Sequence, residues 1–423
     1  MHLSKELTFL LNQEADWRNS TINLNASENY TSPMIKRLIG LHPSYDFYDF
    51  PPSGGIIVGP WSFSNTIYLQ NITNHINQLS ESLLSCPTLD TRAKGGQAAE
   101  IAVLSGLGDS NDHVFYVQEK DGGHFGLNFI CKKIGIVLTP ICFDKQKYQI
   151  DVDNTIKIMR KVWKKKPSKK LIILSQSFIL CQQPLKYFVE RVKNSFSDTV
   201  ITYDISHTLG LIVGKQLINP ITQGVDIIHG STHKTFPGPQ KGIIGFPISC
   251  NENIKKNINH ALSPGLQSNC GTSEVLALAA TLEEMKLYGK DYAQKTCLHA
   301  KYLANLLDSS GLSVAGKQFG FTETHQVWVT IGTKQQAWQA CAKLHNAGIR
   351  VYPASLPFVN SWELRLGTNA MTRLGFSTNE IKKVGQWMVD ILLNNVEPEK
   401  VFKNVQSLMQ KFSIKDVHFT FKS

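Results

Sequence analysis

VDIIHGSTHKTFPGPQKGIIGFPI (225–248) is the stretch on which the reading of this chain turns. A short apolar run ends in a small, polar turn that carries Lys234, and a Pro/Gly-rich segment leads straight into a second apolar run. Strands bounded by turn residues have this look. Toward the N-terminus, four further runs read as strands: VITYDIS (200–206), LIILSQS (171–177), GIVLTPI (135–141) and HVFYVQ (113–118). From about 66 to 250 such runs alternate with helical stretches, the pattern of buried parallel strands joined by helical crossovers. Most of them end in polar residues, where an open α/β sheet places its site.

Outside this region the texture differs. Residues 1–20 read as a helical arm, and 41–64 (LHPSYDFYDFPPSGGIIVGPWSFS) as a structured loop dense in Gly, Pro and aromatics. From about 272 a long proline-free stretch has helical periodicity. A second α/β part follows: HQVWVTI, the helix KQQAWQACAKLHNAG, then IRVYPA and WELRLGT, with last helices near 378–394 and 398–412. The expected layout is α/β, with an N-terminal arm (1–40), a large, mostly parallel-sheet domain (41–275) and a smaller C-terminal α/β domain (276–423).

The 423 residues hold 44 Lys+Arg against 33 Asp+Glu, a formal charge of +11 that first suggests acidic partners. Seven of those cations, Arg160, Lys161, Lys164, Lys165, Lys166, Lys169 and Lys170, fall in RKVWKKKPSKK, which reads as a solvated helix end before LIILS. No finger, RNP-like or basic-zipper pattern accompanies them, so nucleic acid is not an expected partner. No apolar run reaches the roughly 18 residues of a membrane helix, and the start lacks a secretory cleavage site. The eight scattered cysteines show neither zinc nor disulfide spacing, so reduced thiols, a cytoplasmic location and no metal are expected.

Three strand ends carry chemistry. Asp204 closes VITYDIS, with His207 three residues on; Lys234 sits in the turn after VDIIHG; His124 follows Gly122 and Gly123 in KDGGHFG. An acid, a lysine and an imidazole so placed suit pyridoxal 5'-phosphate. The lysine forms the Schiff base, the acid keeps the ring nitrogen protonated, and a flat side chain covers the ring. TRAKGGQAAE (91–100) offers Gly95, Gly96 and the amide of Gln97 at a helix start, a cradle for the phosphate. Singly, each feature has an ordinary reading as a cap, a turn, a helix start or a surface lysine. Their order on one α/β pattern joins them.

STHKTFPGPQKGIIGF (231–246) resembles the lysine segment of serine hydroxymethyltransferases, NLNASENYTSP (23–33) their ASEN segment, and PGLQSNCGTS (264–273) their PGLQGG loop. KDGGHF, SQSF, TYDISH, HGSTHKTFPGPQKG, LQSNC and FGFTETHQV are most similar to one branch of that family, the L-threonine transaldolases. The resemblance implies a pyridoxal-phosphate fold type I enzyme, a homodimer with shared active sites. It also implies roles. Lys234 would hold the cofactor, Asp204 pair with the ring nitrogen, and His124 stack on the ring. Ser177 and His207 would approach the ring hydroxyl, with Ser231 beside the cofactor and His233 the motif's own histidine. Arg365, in WELRLGT, would anchor the substrate carboxylate, with Ser27 nearby; Glu28 could serve there or be structural.

The departures from the hydroxymethyltransferase pattern matter as much. That family's Tyr-x-Glu-Gly glutamate has no counterpart between residues 45 and 64; with Tyr48 as the tyrosine, Phe50 takes its place, and with Tyr45, Phe47 does. The folate-side NKN stretch reads IRVYPAS (349–355), and the phosphate-loop serine is replaced by Gly96. Tetrahydrofolate is therefore not an expected partner. The expected activity is retro-aldol cleavage of L-threonine to acetaldehyde and a glycyl carbanion, then addition to an acceptor aldehyde to give a β-hydroxy-α-amino acid. Candidates for handling the hydroxyl proton are His124, His233 and Tyr48. Serine hydroxymethyltransferase or threonine aldolase activity is the alternative, and a non-enzymatic basic binding protein a remote one.

Overall fold

The computed structural model describes residues 3–41, 67–166, 168–355, 357 and 361–421. Tyr48 lies outside them. The chain forms two compact units, Met34–Gln294 with Phe421–Ser423, and Met1–Pro33 with Lys295–Thr420.

The larger unit is built on a seven-stranded sheet of β1 (Thr88–Asp90), β2 (His113–Tyr116), β3 (Val137–Pro140), β4 (Leu171–Leu174), β5 (Val200–Asp204), β6 (Ile227–Ser231) and β7 (Gly242–Phe246). Their order is β1-β7-β6-β5-β4-β2-β3. The neighbours from β6 to β3 all pair in parallel, as their alternation with helices predicts. GIIGFPI departs from that expectation: β7 runs antiparallel to both β6 and β1. Only residues 232–241 separate it from β6, without a helix, and a parallel return needs a crossover of about a dozen residues or more. The chain goes from β2 outward to β3, then crosses back to β4 on the other side of β2. Such a reversal opens a crevice at the carboxyl ends of the strands.

The helix Gly96–Leu107 covers one face of this sheet. Ala99, Ala102, Val103 and Leu104 pack with Leu171, Ile173, Ile227, Ile244 and Phe246 in one buried cluster. Each large aliphatic side chain buried there contributes about 1.5–3 kcal/mol. The basic segment ends the helix Val152–Lys165, whose N-terminus is capped by Asp151 accepting from the Asn154 amide at 3.1 Å. Beyond it, Lys169 pairs with Asp109 at 2.7 Å and Lys170 with Asp198 at 2.6 Å, so acids nearby offset part of its charge.

The smaller unit holds an antiparallel sheet of β8 (Ser313–Val314), β9 (Gln326–Gly332), β10 (Tyr352–Ser355) and β11 (Trp362–Gly367), ordered β8-β9-β11-β10. Alternation sends Val327, Val329, Leu364 and Leu366 into a core with Ala340 and Leu344 of the helix Lys334–Asn346 and Val384 and Met388 of the helix Thr378–Leu392. Ile22–Asn23 pairs in parallel with Ile349–Arg350, through Ile22 N donating to Gly348 O at 2.8 Å and Leu24 N to Arg350 O at 2.9 Å. This pairing draws the start of the chain into the smaller unit, which ends at Pro33 and resumes at Lys295, inside the helix Thr272–Ser309. Among the described residues no helix is long and apolar enough to cross a membrane.

Candidate active site

Four strand ends of the larger unit converge. After β2, the chain turns through Gly122, at φ 92°, a left-handed conformation that glycine adopts without strain. Gly123 lies against the Val117 carbonyl, so close that a Cβ would stand 1.9 Å from its oxygen. These two glycines fold the loop back, and His124 N donates to Ser175 O at 3.1 Å, next to the end of β4. Ser177 N donates to Gly122 O at 2.8 Å, which fixes Ser177 beside the same turn.

Asp204 ends β5 and is buried. Its Oδ2 accepts from Ser175 Oγ at 2.9 Å and its Oδ1 from the Ser206 amide at 2.7 Å. Burial works against its ionisation. The neighbouring His229 and Lys234, the Ser206 hydrogen bond and His124 outweigh it, and the carboxyl is held below the usual range. Asp204 is thus a buried carboxylate at neutral pH.

The turn after β6 is closed by Thr232, whose amide donates to Lys241 O at 3.0 Å and whose hydroxyl donates to Pro239 O at 2.6 Å. Thr235 ties it to the loop after β5, its hydroxyl donating to His207 O at 2.9 Å. Lys234 is thereby held half-buried on a loop pinned at both ends. Burial and the charge of Lys234 lower the pKa of His233 to about 4, which leaves its imidazole neutral at physiological pH.

His124 is paired. Its Nδ1 stands 2.9 Å from Oε2 of Glu100, one turn into the helix that opens at Gly96. Burial lowers the pKa of His124, but the Glu100 contact and the Asp204 charge outweigh it and raise the net value. Gly95 is the N-cap of that helix and no side chain caps it, so the first amides, including that of Gln97, have no partner within the helix. Gly96 lies against Ser231, and its Cβ, if present, would be 2.8 Å from the Ser231 amide nitrogen. Ser231 Oγ is buried without a hydrogen-bond partner. An orphaned hydroxyl beside an uncapped helix start is a fitting cradle for a phosphate. With Asp204 ionised and Lys234 on the adjoining strand end, these residues fit pyridoxal phosphate.

In the smaller unit, Arg365 projects from β11, with Nη2 donating to Ser27 Oγ at 2.8 Å and its guanidinium 5.7 Å from the centre of the Tyr352 ring. The segment bearing Ser27 is fixed by Glu28, whose carboxylate accepts from Asn23 Nδ2 at 3.0 Å and Asn25 Nδ2 at 2.7 Å. Arg350 lies 3.6 Å from the same carboxylate. Glu28 therefore organises the loop from within. Ser27 and Arg365 meet here, whereas His124, Ser177, Asp204, His207, Ser231, His233 and Lys234 belong to the larger unit.

Glu100, Ser175 and Ser206 hydrogen-bond the candidate residues His124 and Asp204 and were not singled out by the sequence reading. Ser206 has a local signal, an Asp two residues before it that can accept from its amide. Glu100 and Ser175 have none, since their partners lie 24 and 29 residues away.

A family model described as serine hydroxymethyltransferase matches residues 2–388. The serine hydroxymethyltransferase of Methanopyrus kandleri is 31% identical over 405 residues, 94% of this chain and 91% of that protein. That of Methanocella arvoryzae is 32% identical over 388 residues, 90% and 88% of the two chains. Among solved structures, the L-threonine transaldolase from Pseudomonas fluorescens in its internal aldimine state superposes with a TM-score of 0.92. It is 32% identical, and the match covers 98% of this chain and 93% of that one.

Proposed function

The chain belongs to the serine hydroxymethyltransferase family, and on that premise we propose that it is an L-threonine transaldolase dependent on pyridoxal phosphate. It cleaves L-threonine with loss of acetaldehyde and joins the remaining glycyl carbon to an acceptor aldehyde. The observation that carries this reading is the absence of any glutamate from residues 45–64, with Phe50 or Phe47 where a folate-dependent transfer needs an acid. The run IRVYPAS at 349–355 and the likeness to the Pseudomonas fluorescens enzyme support it.

When bound, pyridoxal phosphate supplies an electron sink for a carbanion at the amino acid's Cα. The protein's part is positional. Lys234 would hold the cofactor covalently through Nζ, and the Gly95–Gln97 helix start and Ser231 Oγ would hold its phosphate. The Asp204 carboxylate would keep a proton on the ring nitrogen, and Ser175 and the Ser206 amide fix that carboxylate in place. His124, steered by Glu100, would lie over the ring, with Ser177 and His207 near its hydroxyl. Arg365 and Ser27 would take the substrate's α-carboxylate, whose grip sets which Cα bond aligns for cleavage. The threonine hydroxyl proton needs an acceptor. His124, His233 and Tyr48 are the candidates. By family analogy the protein is a homodimer with shared sites, and its scattered cysteines suit the cytoplasm.

The deciding experiment supplies holoenzyme with L-threonine and an aromatic aldehyde. A β-hydroxy-α-amino acid carrying the aryl group is expected; acetaldehyde release without that product would leave only an aldolase. The second reading, serine hydroxymethyltransferase, is favoured by the names of the curated relatives. It predicts brisk release of glycine from serine with tetrahydrofolate, which the transaldolase reading does not.

A further inference from the structure

Glu363 stands two residues before Arg365 on β11, so both side chains project from one face of the strand. Leu364 and Leu366 project from the other face into the core. Glu363 is 0% exposed, yet neither of its carboxyl oxygens has a hydrogen-bond partner. Among the described residues no ion pair joins it to Arg365, whose Nη2 donates instead to the neutral hydroxyl of Ser27. Across the sheet Glu363 registers with Thr330 on β9 and Ala354 on β10, neither of them ionisable. One step along the same face, Arg365 registers with Trp328 and Tyr352, so Arg365 and Tyr352 are the ionisable groups of this sheet that adjoin Glu363. A carboxyl group buried without donors is held as the neutral acid. Burial pushes its pKa well above the usual range, with the Arg365 charge opposing.

We propose that Glu363 is a positioning residue for amino-acid binding: as the neutral acid it leaves the Arg365 guanidinium to the substrate's α-carboxylate, and once ionised it draws that guanidinium to itself. This rests on the assignment of Arg365 to the substrate carboxylate made above. Residues two apart on a strand lie about 6.5–7 Å apart at their backbones, a gap that Glu and Arg side chains span easily. Two carboxylates then compete for one fork, and a salt-bridged arginine is no longer open to a ligand. Ionisation of Glu363 weakens amino-acid binding and leaves the chemistry of the bound complex unchanged.

The test compares wild-type holoenzyme with Glu363→Gln, which has the same shape and no ionisable proton. Dissociation constants for glycine and L-threonine are read from the absorbance change of the bound cofactor, between about pH 6 and about pH 9. The ratio of wild-type to variant constants is expected to be near one at the acid end and to rise about fivefold or more toward the alkaline end, with kcat at saturation within about twofold. Because the ratio cancels the titration of cofactor and substrate, it reports Glu363 alone. A ratio flat across the range overturns the proposal. Glu363→Leu supports the same comparison if the glutamine variant does not hold cofactor. Failure of both amino acids to bind either loaded protein at any pH would instead remove the assignment of Arg365, and with it the proposed function.

Discussion

Nδ1 of His124 stands 2.9 Å from Oε2 of Glu100, and this pair ties the loop after β2 to the helix that opens at Gly96. Glu100 is almost fully buried and its other oxygen has no partner, so its charge is directed at the imidazole. In Glu100→Gln, burial and the Lys234 charge would lower the His124 pKa against the Asp204 charge alone. We expect it to fall below the ordinary value of about 6.5, as read by NMR titration of the ring. Because the pair raises the folded value, its stabilisation is fully present below the unfolded imidazole's pKa and is lost as pH rises through the folded one. The variant should therefore lose about 1–3 kcal/mol of stability at mildly acidic pH and less at alkaline pH. An unchanged His124 titration would show that the carboxylate does not govern the ring.

Asp204 is ionised inside the protein because two donors and nearby cations hold it so. Asp204→Asn keeps the shape and removes the charge. Turnover should fall about a hundredfold or more, about 2.7 kcal/mol of barrier, while Lys234 still retains the cofactor against dialysis. Turnover within about threefold of wild type would contradict the role assigned to this carboxylate.

Gly96 has no room for a side chain. A Cβ there would stand 2.8 Å from Ser231 N and 2.9 Å from Ser231 Cβ, atoms that cannot move without moving β6. Gly96→Val should destabilise the protein by about 1–3 kcal/mol and weaken cofactor binding about tenfold. Calorimetry and cofactor titration measure the two effects separately. Unaltered cofactor affinity would place the phosphate elsewhere.

His299 lies buried in the smaller unit, with Nδ1 2.8 Å from Thr372 Oγ1. Burial and the charge of Lys295 lower its pKa to about 4, with Glu380 opposing. Between that value and about 6.5 the unfolded chain binds the proton that the folded one refuses, so stability falls as pH drops through this window. The loss attributable to His299 should be about 1–3 kcal/mol. Urea unfolding of His299→Asn at the two ends of the window should show a shallower fall than wild type; parallel curves would assign the acid sensitivity to other groups.

The strand ending in Asp204 and the strand that leads into the Lys234 turn were legible because each is written in consecutive residues: an apolar run, then a polar end. The same holds for the turn at Gly122 and Gly123, where the residue type follows from backbone geometry. The direction of β7 was not legible, since an apolar run has the same composition in either orientation and only its short connection decides. Nor was the attachment of residues 22–23 to 349–350, a pairing that no local pattern announces.

The sequence by itself determined where the candidate groups stand, because Lys234, Asp204 and His124 each follow an apolar run or a glycine turn and Arg365 lies in a strand-like run. Tertiary structure decided what state those groups are in. Whether Asp204 is ionised, His124 paired or Glu363 neutral depends on burial and on partners brought near by strand order, such as Ser175 and Glu100. Local sequence fixes the chain's own geometry over a few residues; the energy of a buried charge depends on everything within several ångströms, whatever its distance along the chain.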